Sequence, residues 1–506
     1  MTAAAQKTDP VDRWVASEAL AAGLAIATRS SALTFLAVPA PIVSAGAIID
    51  AFRDQPRVAW TSGTLTLAGV GSAHELRGTG PDRWAEIVRG AEALQVSGAV
   101  IAGHAAAGNE ARHEAGNAAG HGAWHEAPVA ALGFARPRFV GGAAFAPGAA
   151  DRAPWLGFGD AWFVLPRWTY VHDGVRAFLV LAVDAAAASH ATRWHDELAL
   201  HHAAFAAGSA PPVMPSLVEL QRASAAEWRE QVVAITDAIA GGTCSKIVAA
   251  RTCTIALAGA VRPADLLAAL DHRQAACVRV MIQPPGAGAL IAATPERLVR
   301  RDGDLVSCDA LAGTHRIAAG ADEASRERNV AEAGAALLAS TKDRREHALV
   351  VQAIHAALAD CAEVDAPAVP EIRVLRQLVH LHTPFRARLG APRHVLELAA
   401  RLHPTPAVGG TPRELALDWI RTREPVARGW YSAPVGWFDL EGNGELAVAI
   451  RSGVFAGNRG HLWAGAGIVA GSDPDRELAE TELKFRAVLG ALGVAAEAEL
   501  AEEPAT

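Results

Sequence analysis

Lysine is scarce in this chain of 506 residues, which has 46 lysine and arginine side chains in all. Only four are lysines, namely Lys7, Lys246, Lys342 and Lys484. A guanidinium stays charged at physiological pH, whereas a lysine amine can exchange a proton once its surroundings lower its pKa. The few lysines are therefore the first candidates for proton transfer. From composition alone, however, a strand lysine whose stem reaches the surface explains Lys246 equally well.

Long apolar runs, runs of like charge and paired cysteine motifs are also absent. No stretch of 18 residues is free of charges and turn breakers, and the first residues lack the apolar core of a signal peptide, so we expect no membrane span. A formal net charge of −8 without a basic patch argues against nucleic acid and membrane surfaces as partners. The five cysteines form no CxxC motif and indicate free thiols. We predict a cytoplasmic protein with a small-molecule partner.

The chain is long and apolar enough, at 51% hydrophobic residues, to bury a large core. Residues 1–205 contain short strand-like runs between turns and are predicted to be an N-terminal scaffold; the family resemblance described below implies that 206–506 is the catalytic part. Within the scaffold, 103–127 is rich in alanine, glycine and histidine. Irregular spacing and the absence of HExxH favour a variable surface loop there over a metal site.

Strands and helices follow one another without regular βαβ alternation, which predicts an α+β fold built on antiparallel sheets. A helix is expected from Ser224, which forms a capping-box pattern with Glu227, to the glycines at 241–242. The segment that follows, "GGTCSKIVAAR", leads into a strand on which Lys246 and Val248 share one face. "GELAVAIRSGVF" is predicted to be one further strand. In the alternating pattern of this strand, small residues share the face of Arg451 and leave room for an anionic ligand. An arginine at the surface or in an ion pair explains the pattern equally well.

Acidic and basic side chains recur at helical spacing in two places. Glu477, Glu480 and Lys484 project from one face of the last predicted helix, and Lys342 and Glu346 are four residues apart on another. Spacing alone favours solvated faces with local ion pairs, and a carboxylate site for a hard cation is the alternative. The chain contains no Walker A motif, no GxSxG and no GxGxxG in a βαβ setting, so nucleotide binding and serine hydrolysis have no support.

Seven segments, in this order, resemble the chorismate-utilising enzymes, a family of isochorismate, salicylate, anthranilate and aminodeoxychorismate synthases. The similarity covers about residues 220–490 and is looser before residue 205. The segments are "SKIVAAR", "ATPERLVRRDGDLVSCDALAGTHR", "LLASTKDRREHALVVQAI", "LVHLHTPFRARL", "LHPTPAVGGTP", "RGWYSAPVGWFDLEGNGELAVAIRSG" and "WAGAGIVAGSDPDRELAETELKF". The closest likeness is to the isochorismate synthases.

The resemblance implies one large α+β unit of two layered antiparallel sheets with helices outside, and a Mg²⁺-dependent transfer of the hydroxyl of chorismate from C4 to C2. It implies that Lys246 is the general base and Glu296 the general acid. Glu346, Glu480 and Glu477 are the implied Mg²⁺ ligands. The implied substrate-binding residues are Arg451, Tyr431, Gly465, Gly467, Lys484, Gly313, Thr314 and His382. A structural histidine is the alternative for His382, and His380 is interpreted in the same way.

Lysine at the base position separates the water-using members of the resembling family from the ammonia-using ones, which carry glutamine there. We therefore predict an isochorismate synthase without a glutamine amidotransferase subunit, serving siderophore, salicylate or menaquinone synthesis. One alternative is a salicylate synthase, which also eliminates pyruvate. An alternative of another class is a non-catalytic chorismate- or metal-binding protein that works through the histidine-rich loop.

Overall fold

The computed structural model describes residues 10–30, 32–63, 65–101, 125–208, 211–318, 320, 322–375 and 378–494. Most of the predicted surface loop at 103–127 therefore lies outside the described residues. Its last three residues form a short strand, His125–Ala127. In the described part of the chain, no helix combines the length and the apolar character needed to cross a membrane.

Twelve α-helices occur in the described ranges, and one irregular 3-10 segment spans Val129–Ala135. The helices are α1 Pro10–Ala27, α2 Ala45–Ala51, α3 Arg83–Glu92, α4 Ala185–Ala188, α5 Ala191–Ala207, α6 Ala225–Ala240, α7 Pro263–Arg273, α8 Glu323–Ala339, α9 Thr341–Leu358, α10 Val395–Leu402, α11 Arg413–Arg423 and α12 Pro474–Leu489.

The strands of the same ranges fall into two sheets. They are β1 Leu33–Pro39, β2 Arg57–Thr61, β3 Thr66–Val70, β4 His74–Gly78, β5 Val96–Ile101, β6 His125–Ala127, β7 Arg138–Ala143, β8 Ala161–Leu165, β9 Trp168–His172, β10 Ala177–Val183, β11 Leu217–Arg222, β12 Lys246–Leu257, β13 Val278–Gln283, β14 Ala289–Thr294, β15 Arg297–Asp302, β16 Leu305–Arg316, β17 Ala362–Asp365, β18 Glu371–Leu375, β19 Leu378–Leu389, β20 Gly410–Thr411, β21 Pro434–Asp439, β22 Gly444–Val448, β23 Ser452–Ala456 and β24 Arg459–Val469.

The first sheet runs β11-β12-β24-β23-β14-β13-β2-β3-β9-β10-β1-β5-β6, with β20 beside β12. The second runs β17-β19-β16-β15-β22-β21-β7-β8-β4, with β18 beside β19. Every described pair is antiparallel except β1 with β5. This confirms the predicted fold class. Both sheets contain strands from 1–205 and from 206–506, and the largest apolar cluster joins side chains of both sheets, such as Ile247 and Phe438.

The helix before Lys246 and the strand that begins there are as predicted. Ser224 caps α6 by accepting a hydrogen bond from the Glu227 amide, and β12 starts at Lys246 itself. Helices α8 and α9 follow each other directly, because Ser340 ends α8 and caps α9 by accepting a hydrogen bond from the Asp343 amide.

The single strand predicted over "GELAVAIRSGVF" is wrong. The chain leaves the second sheet after β22 and enters the first at β23, with Arg451 between them at a φ of 51°. A second crossing from sheet to sheet joins β14 to β15 and contains Glu296. The crossings contact each other, since the Val448 amide donates to the Glu296 carbonyl at 3.0 Å. Glu296 and Arg451 therefore lie where the two sheets diverge.

Candidate active site

A cavity opens between the sheets beside the two crossings. It brings together ten of the residues predicted for the site, contributed by both crossings, β16, β24, α9, α12 and the segment before β21. These ten lining residues are Glu296, Gly313, Thr314, Glu346, Tyr431, Arg451, Gly465, Gly467, Glu480 and Lys484.

Three predicted residues are not part of that lining. Lys246 is fully buried behind Glu346. Glu477 lies in an adjoining groove, which it shares with Glu480 and Lys342. His382 lies further along β19, where its Nε2 is 3.0 Å from Asp309 Oδ1.

The three lysines of the described residues each contact one of the three glutamates predicted to bind metal. Lys246 Nζ is 2.9 Å from Glu346 Oε1. The other pairs are Lys342 with Glu477 and Lys484 with Glu480, each at 2.7 Å. The expected helical pair of Lys484 with Glu480 is formed, whereas Lys342 contacts α12 instead of Glu346 on its own helix. The prediction of a solvated face is wrong for Glu346 and Glu477, which are both buried.

The Lys246–Glu346 pair is the most deeply buried of the three, with side-chain exposures of 0% and 11%. Burial opposes ionisation of Glu346, but the charges of Lys246 and Lys342 outweigh it and hold the pKa of Glu346 below its usual value. Removing one partner of such a buried pair strongly destabilises the fold, because the remaining charge is buried without a partner.

Gly467 on β24 makes room for this ion pair. A Cβ atom at residue 467 would overlap Glu346 Oε1 and lie 2.9 Å from Lys246 Cε. We expect Gly467→Ala to separate the pair and to lower the free energy of unfolding by about 1–3 kcal/mol, measured by urea unfolding. Gly390→Ala is the matched control, since a Cβ there meets nothing within 4 Å. Equal stability of the two variants would contradict this steric account.

Glu296 is a carboxyl whose ionisation the fold disfavours. It is 5% exposed, and burial raises its pKa from 4.5 to about 7, with the charge of Lys246 opposing the shift. A carboxyl with such a pKa is substantially protonated near neutral pH, as a general acid has to be.

His380 also lines the cavity and holds Arg451 in place there. Arg451 Nη2 donates to His380 Nε2 at 3.3 Å, because a guanidinium can only donate. The proton of neutral His380 is therefore on Nδ1, within reach of the Gly313 carbonyl at 3.2 Å and Thr314 Oγ1 at 3.1 Å. Burial first, and then the charge of Arg451, lower the pKa of His380 well below 6.5.

A buried Glu424–Arg428 pair was not found from the sequence. Arg428 lines the cavity and donates to two oxygens of Glu424, to the Val408 carbonyl at 2.6 Å and to the Val248 carbonyl at 2.7 Å. The four-residue spacing in "EPVAR" was the available signal. The contacts fix the segment before Tyr431 against β12.

No group of three or more histidine, cysteine, aspartate or glutamate side chains in the described ranges forms a ready-made metal centre. The donor chemistry nevertheless fits a hard divalent cation. Carboxylate oxygens are the ligands that Mg²⁺ prefers, and Glu346 and Glu480 present them to one cavity. Burial and the nearby charge of Glu480 raise the pKa of Glu477, and a cation would relieve that repulsion.

Known proteins resemble this chain over most of its length. A family model described as chorismate binding enzyme matches residues 122–493. The salicylate biosynthesis isochorismate synthase of Pseudomonas aeruginosa is 37% identical over 457 residues, covering 87% of this chain and 85% of that one. The isochorismate synthase MenF of Bacillus subtilis is 38% identical over 268 residues, covering 53% and 55%.

Two solved structures share the fold. MenF, the menaquinone-specific isochorismate synthase from Escherichia coli, superposes with a TM-score of 0.72 at 24% identity, covering 94% of this chain and all of that one. Anthranilate synthase component I from Streptococcus pneumoniae gives a TM-score of 0.61 at 17% identity, covering 84% and 92%. At these identities the likeness concerns the fold alone.

Proposed function

The chain belongs to the chorismate binding enzyme family, and from that membership and the geometry of its cavity we propose that it is an isochorismate synthase. The observation that carries the proposal is the meeting at one cavity of a buried lysine–glutamate pair, a buried carboxyl with a pKa of about 7 and a buried arginine. Together they supply a base, an acid and an anion anchor.

The proposed reaction adds one water to chorismate and removes another. Once substrate binding has separated Lys246 from Glu346 and the amine has given its proton to solvent, Lys246 Nζ takes a proton from the water whose oxygen bonds to C2, and the ring double bonds shift. The C–O bond at C4 breaks as Glu296 gives its proton to the departing hydroxyl. Lys246 thus gains one proton, from the attacking water, and Glu296 loses one, to the departing hydroxyl, and exchange with solvent restores both.

Chorismate is a dianion, and the cavity offers a separate partner for each carboxylate. Arg451 is suited to bind one of them through two parallel hydrogen bonds, because its guanidinium presents a fork of donors. The second carboxylate belongs at the side of Glu346 and Glu480, where Mg²⁺ would be held with Glu477 nearby. When bound there, Mg²⁺ supplies positive charge that binds this carboxylate and draws electrons from the ring.

The cavity is closed around its ion pairs. Its free volume is about 80 Å³, whereas about 150 Å³ accommodates a benzene ring. Chorismate therefore enters only when side chains move apart. Lys484 and Glu480 are the pair closest to solvent among those that line the cavity, with side-chain exposures of 24% and 21%. We expect this pair to separate first.

The proposed reaction uses water, so it requires no ammonia and no glutamine amidotransferase subunit. Salicylate or menaquinone synthesis is the proposed destination of the product, by analogy with the names of the relatives. We also propose that residues 1–205 are a scaffold for catalytic residues that all lie in 206–506, and that the enzyme is cytoplasmic.

Product analysis tests the proposal. Purified protein with chorismate and Mg²⁺ is expected to form isochorismate without an equal amount of pyruvate, as followed by chromatography. Chelation of Mg²⁺ is expected to stop the reaction. Salicylate together with pyruvate would identify a salicylate synthase instead. Absence of any product from chorismate would refute both activities and favour a binding protein.

A pair of histidine variants tests how Arg451 is positioned. We expect His380→Asn to raise the KM for chorismate about tenfold, with a smaller change in kcat, because Arg451 loses a buried hydrogen bond that orients it. His382→Asn is the matched control, since His382 contacts Asp309 rather than the cavity. Steady-state kinetics checks both variants, and an equal effect on KM would remove this role from His380.

A further inference from the structure

Lys342 and Glu477 join the beginnings of two helices in the groove beside the active-site cavity. Lys342 belongs to the first turn of α9 and Glu477 to the first turn of α12. A carboxylate suits such a position, whereas the partial positive charge at a helix N-terminus disfavours an ammonium. The position of Lys342 is therefore explained by its contact with Glu477, at 2.7 Å, and not by its own helix.

Glu477 is a buried carboxylate that depends on this contact. Its side chain is 2% exposed. Burial and the charge of Glu480 raise the pKa of Glu477, while the charge of Lys342 and the hydrogen bond from it act in the opposite direction. A buried carboxylate without a compensating charge is costly. Lys342 thus favours the ionised form of Glu477, which is the form that can bind a cation.

Lys342 is close enough to all three glutamates predicted to bind Mg²⁺ to interact with their charges. Burial disfavours the ammonium, but the charges of these carboxylates, with Glu477 first, outweigh burial and raise the pKa of Lys342. Lys342 therefore places one positive charge among the carboxylates where a divalent cation is expected. Without a metal ion, this charge offsets part of the repulsion between the carboxylates.

Of the three lysines at the site, Lys342 moves away most easily. Its side chain is 31% exposed, compared with 0% for Lys246 and 24% for Lys484. Lys484 is also tied to the Gly465 carbonyl, to which it donates at 2.7 Å. The groove beside Lys342 has a volume of about 780 Å³, so its flexible stem can swing into solvent without displacing packed side chains.

We propose that Lys342 is a positioning residue, which serves as the counter-ion of Glu477 in the metal-free protein and leaves it when a divalent cation binds. The inference rests on the proposed Mg²⁺ site, of which Glu477 is a member. Ammonium and metal ion then compete for the same carboxylate. Loss of the lysine charge should therefore tighten metal binding while it destabilises the metal-free protein. A purely structural ion pair predicts weaker metal binding instead, because its loss would leave Glu477 without a fixed position.

Calorimetric titration of the full chain with Mg²⁺, in the absence of chorismate, tests this competition. Lys342→Met keeps an unbranched stem and removes the charge, and we expect it to bind Mg²⁺ at least about tenfold more tightly than wild type. Arg476→Met is the matched control. Arg476 lines the same groove from an exposed position, but its neighbour Glu477 pairs with Lys342. Removing the charge of Arg476 should change the affinity less than about threefold.

Thermal melting gives the second readout. With a chelator present, Lys342→Met should melt below wild type, because Glu477 is left without its counter-ion. Addition of Mg²⁺ should reduce that difference, since the metal ion stabilises the folded state that binds it. Lys342→Gln is also uncharged and replaces the methionine variant if that variant does not fold.

Unchanged or weaker Mg²⁺ binding by Lys342→Met would overturn the inference and leave the proposed metal site in place. Equal tightening in Arg476→Met, or a melting difference that Mg²⁺ does not reduce, would do the same. Absence of Mg²⁺ binding in wild type and variants alike would overturn the metal site together with the inference. Product analysis with chorismate is a separate measurement, so each of these failures is distinguishable from failure of the proposed reaction.

Discussion

Lys246→Gln is expected to lower the rate of isochorismate formation by roughly 10²–10⁴-fold, the usual contribution of a general base. Glutamine is one bond shorter than lysine but keeps a polar end that donates hydrogen bonds, and it cannot take a proton from water. Chromatographic initial rates at saturating chorismate and Mg²⁺ measure the loss. Alanine is a poorer choice, because it leaves Glu346 buried without its partner and costs about 3–5 kcal/mol.

Lys342→Gln is the matched control for this prediction. It also replaces the lysine of a lysine–glutamate pair, but Lys342 is 31% exposed and contacts Glu477 outside the cavity lining. We expect its rate to fall less than tenfold. Comparable losses in the two variants would mean that pairing with glutamate, rather than proton transfer, explains the effect of Lys246.

Glu296→Gln is expected to reduce turnover by a similar roughly 10²–10⁴-fold, because the amide cannot protonate the departing hydroxyl. Glutamine keeps the shape of the side chain. It replaces a carboxyl whose ionisation burial already disfavours, so the fold should be retained. Initial rates and thermal melting measure the two effects separately. A variant with near wild-type turnover would remove Glu296 from the role of acid.

The pH profile gives a second signature of Glu296. Burial raises its pKa to about 7, and the protonated form is the one that donates. Wild-type kcat/KM should therefore show a limb that falls as the pH rises through 7, where Glu296 loses its proton. The residual activity of Glu296→Gln should lack that limb. A limb that persists in the variant would belong to another group.

Local sequence predicted the elements whose pattern is periodic. The cap at Ser224 and the alternation of β12 are each visible within a dozen residues. They place Lys246 correctly at the start of its strand. The resemblance then named ten residues that the structure brings to one cavity.

The features that were missed depend on distant parts of the chain. The crossing at Arg451 looks like a continuous strand, because alternation persists while the backbone turns from one sheet to the other. The partners of Glu346 and Lys342 are 100 and 135 residues away, so helical spacing could not identify them. The same holds for His380, whose importance comes from its contact with Arg451 across the sheets.

The scarcity of lysine has a consequence for chemical labelling. Most proteins of this size present many surface amines to an acylating reagent, whereas here every lysine in the described ranges contacts a glutamate of the proposed site. Lys246 is inaccessible, and Lys342 and Lys484 are partly shielded by those contacts. Acylation of Lys342 and Lys484, mapped by mass spectrometry, would therefore report on the opening of the active site, since the described ranges contain no lysine elsewhere.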